Sequence, residues 1–314
     1  MARRLVFMGT PEFAVPSLEA LVHSSYQVVA VCTQPDRRAG RGRQVASSPV
    51  KQLALSRGIE VLQPDSLKAT SAVERLTALA PELIVVAAFG QILPREVLAL
   101  PEFGCVNVHP SLLPRHRGSS PISTAILQGD EVAGVTIMLM DTGVDSGPIL
   151  GRREVSISGD DTTGSLGTGL AEAGAELLLE TLALWLEGKI KPQTQEEARA
   201  SYSKAVSKED GELDWQLPAV ELWRRVRAFD PWPGSYTSWR ERRLKLSKVV
   251  PVGGGKCAKP GKVVALAPPA SAAVGVETGD GLLGLLRVQL EGKREVSTEE
   301  FMRGQRDFVG SLLL

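Results

Sequence analysis

Histidine and cysteine are scarce in this 314-residue chain, with three of each. Cys32, Cys105 and Cys257 lie far apart, which excludes a disulfide-stapled scaffold and a four-cysteine zinc site. A metal site with several imidazole ligands is not expected, and any histidine base must be His23, His109 or His116. No apolar run reaches transmembrane length. The apolar segment behind Met1-Ala2-Arg3-Arg4 ends at Gly9, too short for the core of a signal peptide. A cytoplasmic setting with no membrane partner is expected. The chain has no G-x-S-x-G elbow, and no Ser, Cys or Lys stands in a nucleophile motif. An excess of either charge is absent too: Lys plus Arg equals Asp plus Glu at 36 each, so net charge points to no partner.

What is present is a hydrophobic fraction of 43%, enough for an ordinary buried core. The length suits two domains, with boundaries expected at residues 1–189 and 207–314 and a linker at 190–206. The zero net charge hides an asymmetry. Residues 1–203 carry a balance of −4 and residues 204–314 a balance of +4, and residues 222–262 alone hold 11 basic and 2 acidic side chains. A compact basic segment is what a polyanion partner requires, although a solvated face or a charged edge strand produces the same count. Trp215, Trp223, Trp232 and Trp239 lie in or just before it and are expected mainly in a core.

The first part alternates strand and helix. Strands are predicted at Leu5–Gly9, Gln27–Thr33, Glu60–Leu62, Leu83–Phe89, Gly104–His109 and Gly134–Met140. Helices are predicted at Phe13–His23, Pro49–Arg57, Ile122–Leu127 and Thr162–Glu187. The continuous apolar run Leu83–Phe89 is typical of a strand covered on both faces. Such an order predicts an α/β fold with an open, mostly parallel, Rossmann-like sheet. After Pro231-Trp232-Pro233-Gly234 the pattern changes to five short strands at Tyr236–Trp239, Leu244–Val250, Lys262–Leu266, Ala273–Glu277 and Leu283–Leu290. These predict a smaller OB-like β-barrel domain, a fold often used to hold nucleic acid.

Residues able to do chemistry gather near predicted strand ends. Asn107 and His109, one residue apart on a strand stopped by Pro110, share a face because strand side chains alternate. In an open parallel sheet, ligands bind beyond the carboxyl ends of strands. The loop Asp141–Pro148 brings Asp141 and Asp145 to the same end, and either carboxylate could orient the His109 imidazole. Asn beside His suits attack on a carbonyl: the amide donates to the developing oxyanion and the imidazole handles the proton. The nucleophile would then belong to a substrate. Ser111–Gly118 forms the adjoining loop. Gln34–Arg43 carries four arginines among glycines, a composition suited to reaching phosphate or to a plain surface loop. Gly9-Thr10-Pro11-Glu12 lacks the glycines of a dinucleotide-binding turn, so no nicotinamide cofactor is expected. Asp141-Thr142-Gly143 matches the aspartic-protease tripeptide, but no second copy exists and the flanking pattern is wrong for that fold.

Phe7–Phe13, the Gln34–Arg43 loop, Asn107–Pro114 and Asp141–Pro148 together resemble the methionyl-tRNA formyltransferase family. The resemblance continues through Phe229–Gly234 and Gly279–Gly281 to Gly292-Lys293-Arg294. His116 stands where the family usually carries Trp, and Ser119-Ser120 where small apolar residues are usual. The resemblance implies transfer of the formyl group of 10-formyltetrahydrofolate to methionyl initiator tRNA, with formyl-folate and that tRNA as partners, no metal, and action as a monomer. By matching positions, Asn107, His109 and Asp145 would be catalytic. Ser111, Leu112, Leu113 and Pro114 would contact the folate. Phe89, Gly90, Gln91, Ile92 and Leu93 would help form the pterin pocket. Arg37, Arg38, Arg41 and Arg43 would sit in the loop reaching the tRNA.

Overall fold

The computed structural model describes residues 2–39, 44–253, 255, 257–268 and 270–314. Spatial proximity divides the chain into two units. The first comprises Met1–Pro121, Val132–Ser156 and Gly167–Ser203, and the second Ile122–Glu131, Ile157–Leu166 and Lys204–Leu314.

In chain order the first unit carries β1 (Arg4–Gly9), β2 (Gln27–Cys32), β3 (Arg37–Ala39), β4 (Gln44–Ala46), β5 (Glu60–Leu62), β6 (Leu83–Ala87), β7 (Cys105–His109), β8 (Arg117–Gly118), β9 (Val132–Leu139), β10 (Ile149–Ser156) and β11 (Tyr202–Ser203). Seven of these form one sheet in the order β10-β9-β7-β6-β1-β2-β5. The five strands from β7 to β5 run parallel. β9 pairs antiparallel with β7, and β10 antiparallel with β9. This is the open, mostly parallel sheet the alternating pattern predicts. β6 and β7 are buried along their whole length, β6 as the apolar run covered on both faces that its sequence suggests. β10 alternates between half-buried and exposed positions at the sheet edge, and its polar pattern concealed it from sequence reading.

Helices α1 (Val15–Val22), α2 (Pro49–Ser56), α3 (Thr70–Ala78) and α4 (Arg95–Leu98) belong to this unit. α2 starts where sequence chemistry says it should: Pro49 occupies the first turn, and the Ser48 hydroxyl accepts from the Lys51 amide at 3.1 Å. α3 and α4 went unread because α3 carries a single buried residue, Leu76, and α4 is one turn long. α5 (Pro121–Gln128) and α6 (Thr163–Leu186) follow. Gly174 of α6 lets the helix lie on β7 and β9, since a Cβ there would stand 2.9 Å from the Val108 side chain. That contact occupies one face of β7 and leaves the other to Asn107 and His109.

The polar stretch expected as a linker is hydrogen-bonded to the first unit as far as residue 203. Gln193 and Ile149 exchange backbone hydrogen bonds, the Ser201 carbonyl accepts from the Arg117 amide at 2.8 Å, and β11 pairs with β8.

The second unit contains α7 (Ala219–Ala228), α8 (Thr298–Gly304) and strands β12 (Ser235–Trp239), β13 (Arg242–Val252), β14 (Val263–Ala265), β15 (Val274–Glu277), β16 (Leu282–Leu290) and β17 (Val296–Ser297). The sheet is antiparallel in the order β12-β13-β16-β15-β14, with β17 beside β16. Residues 310–314 bridge its two edges. On the β14 side the Val263 amide donates to the Ser311 carbonyl and the Gly310 amide to the Val263 carbonyl. On the β12 side Ser238 and Leu314 exchange backbone hydrogen bonds of 2.8 and 3.0 Å. This edge-to-edge bridging curls the sheet toward the predicted barrel and covers part of its two edge strands. Trp239, Phe301 and Phe308 pack edge to face in its core, with centroids 5.0 to 5.5 Å apart. Trp215 is buried and its Nε1 donates to Thr237 Oγ1, whereas Trp232 is 54% exposed. Arg227 of the basic segment is buried as well. It spans the Ser158 and Gly159 carbonyls and stacks on Trp223, so not every cation in that segment serves the surface.

Candidate active site

β7 ends at Pro110, and beyond it a cleft of about 420 Å³ opens in the first unit. Asn107, His109 and Asp145 all line it, together with Phe89, Gly90 and Gln91. Asn107 is 8% exposed, and among the described residues no protein group hydrogen-bonds its amide. A polar side chain so nearly buried without a protein partner is suited to a bound ligand.

His109 is 4% exposed. Its Nε2 lies 3.2 Å from the His116 carbonyl, and its Nδ1 lies 3.6 Å from Asp145 Oδ2. Burial holds the imidazole below the usual histidine range, partly opposed by the Asp145 carboxylate and the His116 carbonyl. A carbonyl only accepts, so in the neutral ring the proton sits on Nε2 and Nδ1 keeps its lone pair on the Asp145 side. At 3.6 Å the carboxylate acts on the ring by charge rather than by a hydrogen bond.

Loop position alone leaves two carboxylates open, and the one that the family resemblance names, Asp145, is the one that lines the cleft. Asp141 folds into its own loop, where Oδ1 accepts from the Gly143 amide and from the Ser146 hydroxyl at 2.9 Å. Asp145 instead faces the cleft, and its Oδ2 accepts from the Gly118 amide at 2.8 Å. Its backbone has φ of 47°, in the left-handed region that non-glycine residues avoid. Ala88 and His116 beside the cleft share that conformation, with φ of 45° and 57°. Clustered strain of this kind is found at functional sites.

The other expected residues divide. Phe89 is buried, and Gly90 has φ of 82° with its carbonyl accepting from Gln34 Nε2 at 2.8 Å. Gln91 ties the turn down: its Oε1 accepts from the Leu67 amide and its Nε2 donates to the Pro64 carbonyl. Ile92 is 81% exposed and Leu93 is buried in the core, and neither lines the cleft. Ser111, Leu112, Leu113 and Pro114, expected against the folate, do not line it either. The Ser111 hydroxyl donates to the Arg115 carbonyl, and Leu113 packs on Met138 and Ile149, so this segment supports the cleft from behind. Arg37 is exposed on β3. Arg41, Arg43 and the side chain of Arg38 lie outside the described residues. Sequence reading did not single out Met140 or Pro121, which line the cleft, and no local signal distinguishes them. Among the described residues, no group of His, Cys, Asp or Glu is arranged to hold a metal ion, and no helix is long and apolar enough to cross a membrane.

The formyl transferase family profile matches residues 3–182, and that of the formyl transferase C-terminal domain matches residues 205–306. The chain is 49% identical to the methionyl-tRNA formyltransferase of Roseiflexus sp. (strain RS-1), over 98% of this chain and 94% of that one. It is 45% identical to that of Caldanaerobacter subterraneus subsp. tengcongensis, over 99% of both. The chain belongs to the methionyl-tRNA formyltransferase family. Among solved structures, WlaRD, a sugar 3N-formyl transferase in the presence of dTDP and 5-N-formyl-THF, aligns with a TM-score of 0.65 at 18% identity, covering 94% of this chain and 99% of that one. HypX from Aquifex aeolicus in complex with tetrahydrofolic acid aligns at 0.62 and 20% identity, and this chain spans about half of its length. At these identities the likeness is one of fold.

Proposed function

We propose that this protein transfers the formyl group of 10-formyltetrahydrofolate to the α-amine of methionine on initiator tRNA, for translation initiation. The observation that carries the reading is the meeting of Asn107, His109 and Asp145 at one cleft in a chain of this family. In the mechanism, the neutral amine of the acceptor attacks the formyl carbon, and the carbonyl oxygen becomes an oxyanion. The Asn107 amide, having no protein partner among the described residues, donates to that oxyanion. The attacking amine gives up a proton to Nδ1 of His109, which burial keeps neutral and ready to accept it. The Asp145 carboxylate then stabilises the imidazolium. Collapse of the intermediate breaks the bond to the folate N10, which takes the proton from His109 as tetrahydrofolate leaves.

Phe89, Gly90 and Gln91 form the wall proposed to face the pterin. The arginines of the 37–43 loop and the exposed cations of β13, Arg242, Arg243 and Lys248, are proposed to meet tRNA phosphates. A charged tRNA as acceptor implies a cytoplasmic setting. The three reactive groups come from one chain, so a monomer is sufficient.

The test is formyl transfer from 10-formyltetrahydrofolate to charged initiator tRNA, charged elongator tRNA and a free amino sugar. Transfer to the initiator alone is expected. Preference for the amino sugar would overturn the reading.

A further inference from the structure

Behind the candidate trio lies a polar chain that the reaction scheme does not use. Gln195 is 7% exposed and belongs to the stretch that sequence reading took for a linker. Both of its amide hydrogens are committed: Nε2 donates to the Asp145 carbonyl at 2.8 Å and to the Gly147 carbonyl at 2.7 Å. Its Oε1 accepts from Arg117 Nε at 3.1 Å. Arg117 is 1% exposed, and its Nη1 donates to Glu197 Oε1 at 3.0 Å and to the Tyr202 hydroxyl at 3.2 Å. Only one orientation of the Gln195 amide serves all three neighbours.

Asp145 needs such a hold. Its left-handed backbone is one that a free chain would leave, and strained conformations persist only where the surroundings over-determine them. On the far side of the loop, Gly147 is pressed against the backbone of Leu139, where any Cβ would collide with the Leu139 carbonyl. Gln195 pins residues 145 and 147 on the near side. The Gly118 amide then fixes the carboxylate itself, and Gly118 adjoins Arg117.

We infer that Gln195, oriented by Arg117, is a positioning residue that holds Asp145 at working distance from His109. The inference rests on the catalytic reading of Asp145 given above. Its effect should appear in the chemical step, because Gln195 does not line the cleft and touches no part of the formyl-folate wall. A misplacement on the order of 1 Å costs about 100-fold in rate.

The experiment compares kcat and the formyl-folate KM in Gln195→Met, Gln195→Glu, Asp145→Asn and the Gln195→Met/Asp145→Asn double variant. Methionine keeps the length and removes every hydrogen bond. Glutamate keeps the Arg117 partner but offers no N–H to the two carbonyls, so it carries the test should the methionine variant fail to fold. Both single Gln195 variants should lose about 10- to 100-fold in kcat, with KM within about threefold. In the Asp145→Asn background, Gln195→Met should cost less than about twofold more, because the two residues act as one unit. Wild-type kcat in the Gln195 variants, or an undiminished further loss in the double variant, would overturn the inference and leave the Asp145 reading standing. Full activity in Asp145→Asn would sink that reading and this inference with it.

Discussion

Replacing Asn107 by alanine separates a catalytic amide from a structural one. The side chain is 8% exposed, and no described residue hydrogen-bonds its amide, so deletion removes nothing from the fold beyond a small amount of packing. A structural asparagine would behave otherwise, since breaking a buried hydrogen bond leaves an unsatisfied partner at a cost of about 1–3 kcal/mol. Here no hydrogen-bond partner is left behind, so the stability cost should be confined to lost packing and stay well below the loss in turnover. Turnover should respond very differently. Loss of one oxyanion donor costs about 100- to 1000-fold in kcat, or about 2.7–4 kcal/mol. The formyl-folate KM should hardly move, because the donor acts on charge that exists only in the transition state. The assay is rapid-quench transfer of labelled formyl to charged initiator tRNA, run beside urea unfolding of both proteins. A fall in kcat of less than tenfold, or a KM that rises in step with the loss of kcat/KM, would refute the reasoning.

Other expectations follow from the same geometry. The His109 imidazole should titrate below the 6.5 of a free histidine because burial disfavours its charged form, and Asp145→Asn should lower it further by removing the carboxylate that opposes burial; NMR titration of the ring protons reads both. Since the folded value is the lower one, the unfolded chain binds this proton first as pH drops below 6.5, so acidification through that window should cost the parent more stability than it costs His109→Asn. Phe308 is fully buried between Trp239 and Phe301, so Phe308→Ala should destabilise the second unit by about 3–5 kcal/mol in urea unfolding. Changing Arg242 and Lys248 on β13 to Gln should raise the tRNA KM and reduce the slope of log binding against log salt by about 1 for each phosphate no longer neutralised; an unchanged slope would assign tRNA binding to other residues.

The features legible from the chain alone were those that depend on short-range periodicity. Alternation along the predicted strand Gly104–His109 sufficed to put Asn107 and His109 on one face, and the apolar run Leu83–Phe89 marked a strand covered on both sides, observed as Leu83–Ala87. The helix predicted to open at Pro49 does begin there, with proline in its first turn. The family motifs added the reading of the chemistry. Loop position alone could not tell Asp141 from Asp145; the family motif named Asp145, and the tertiary structure supplies the physical reason, since Asp141 is consumed by Gly143 and Ser146 while Asp145 is received by Gly118. Tertiary structure also drew the polar stretch around Gln195 against the 145–147 loop, buried Arg117 beside it, and ran residues 310–314 between the two edges of the second sheet. Local composition cannot reveal such partnerships. A glutamine reads as polar whether it faces water or two buried carbonyls, and only the folded chain, by removing the water, makes the difference between a linker and a clamp.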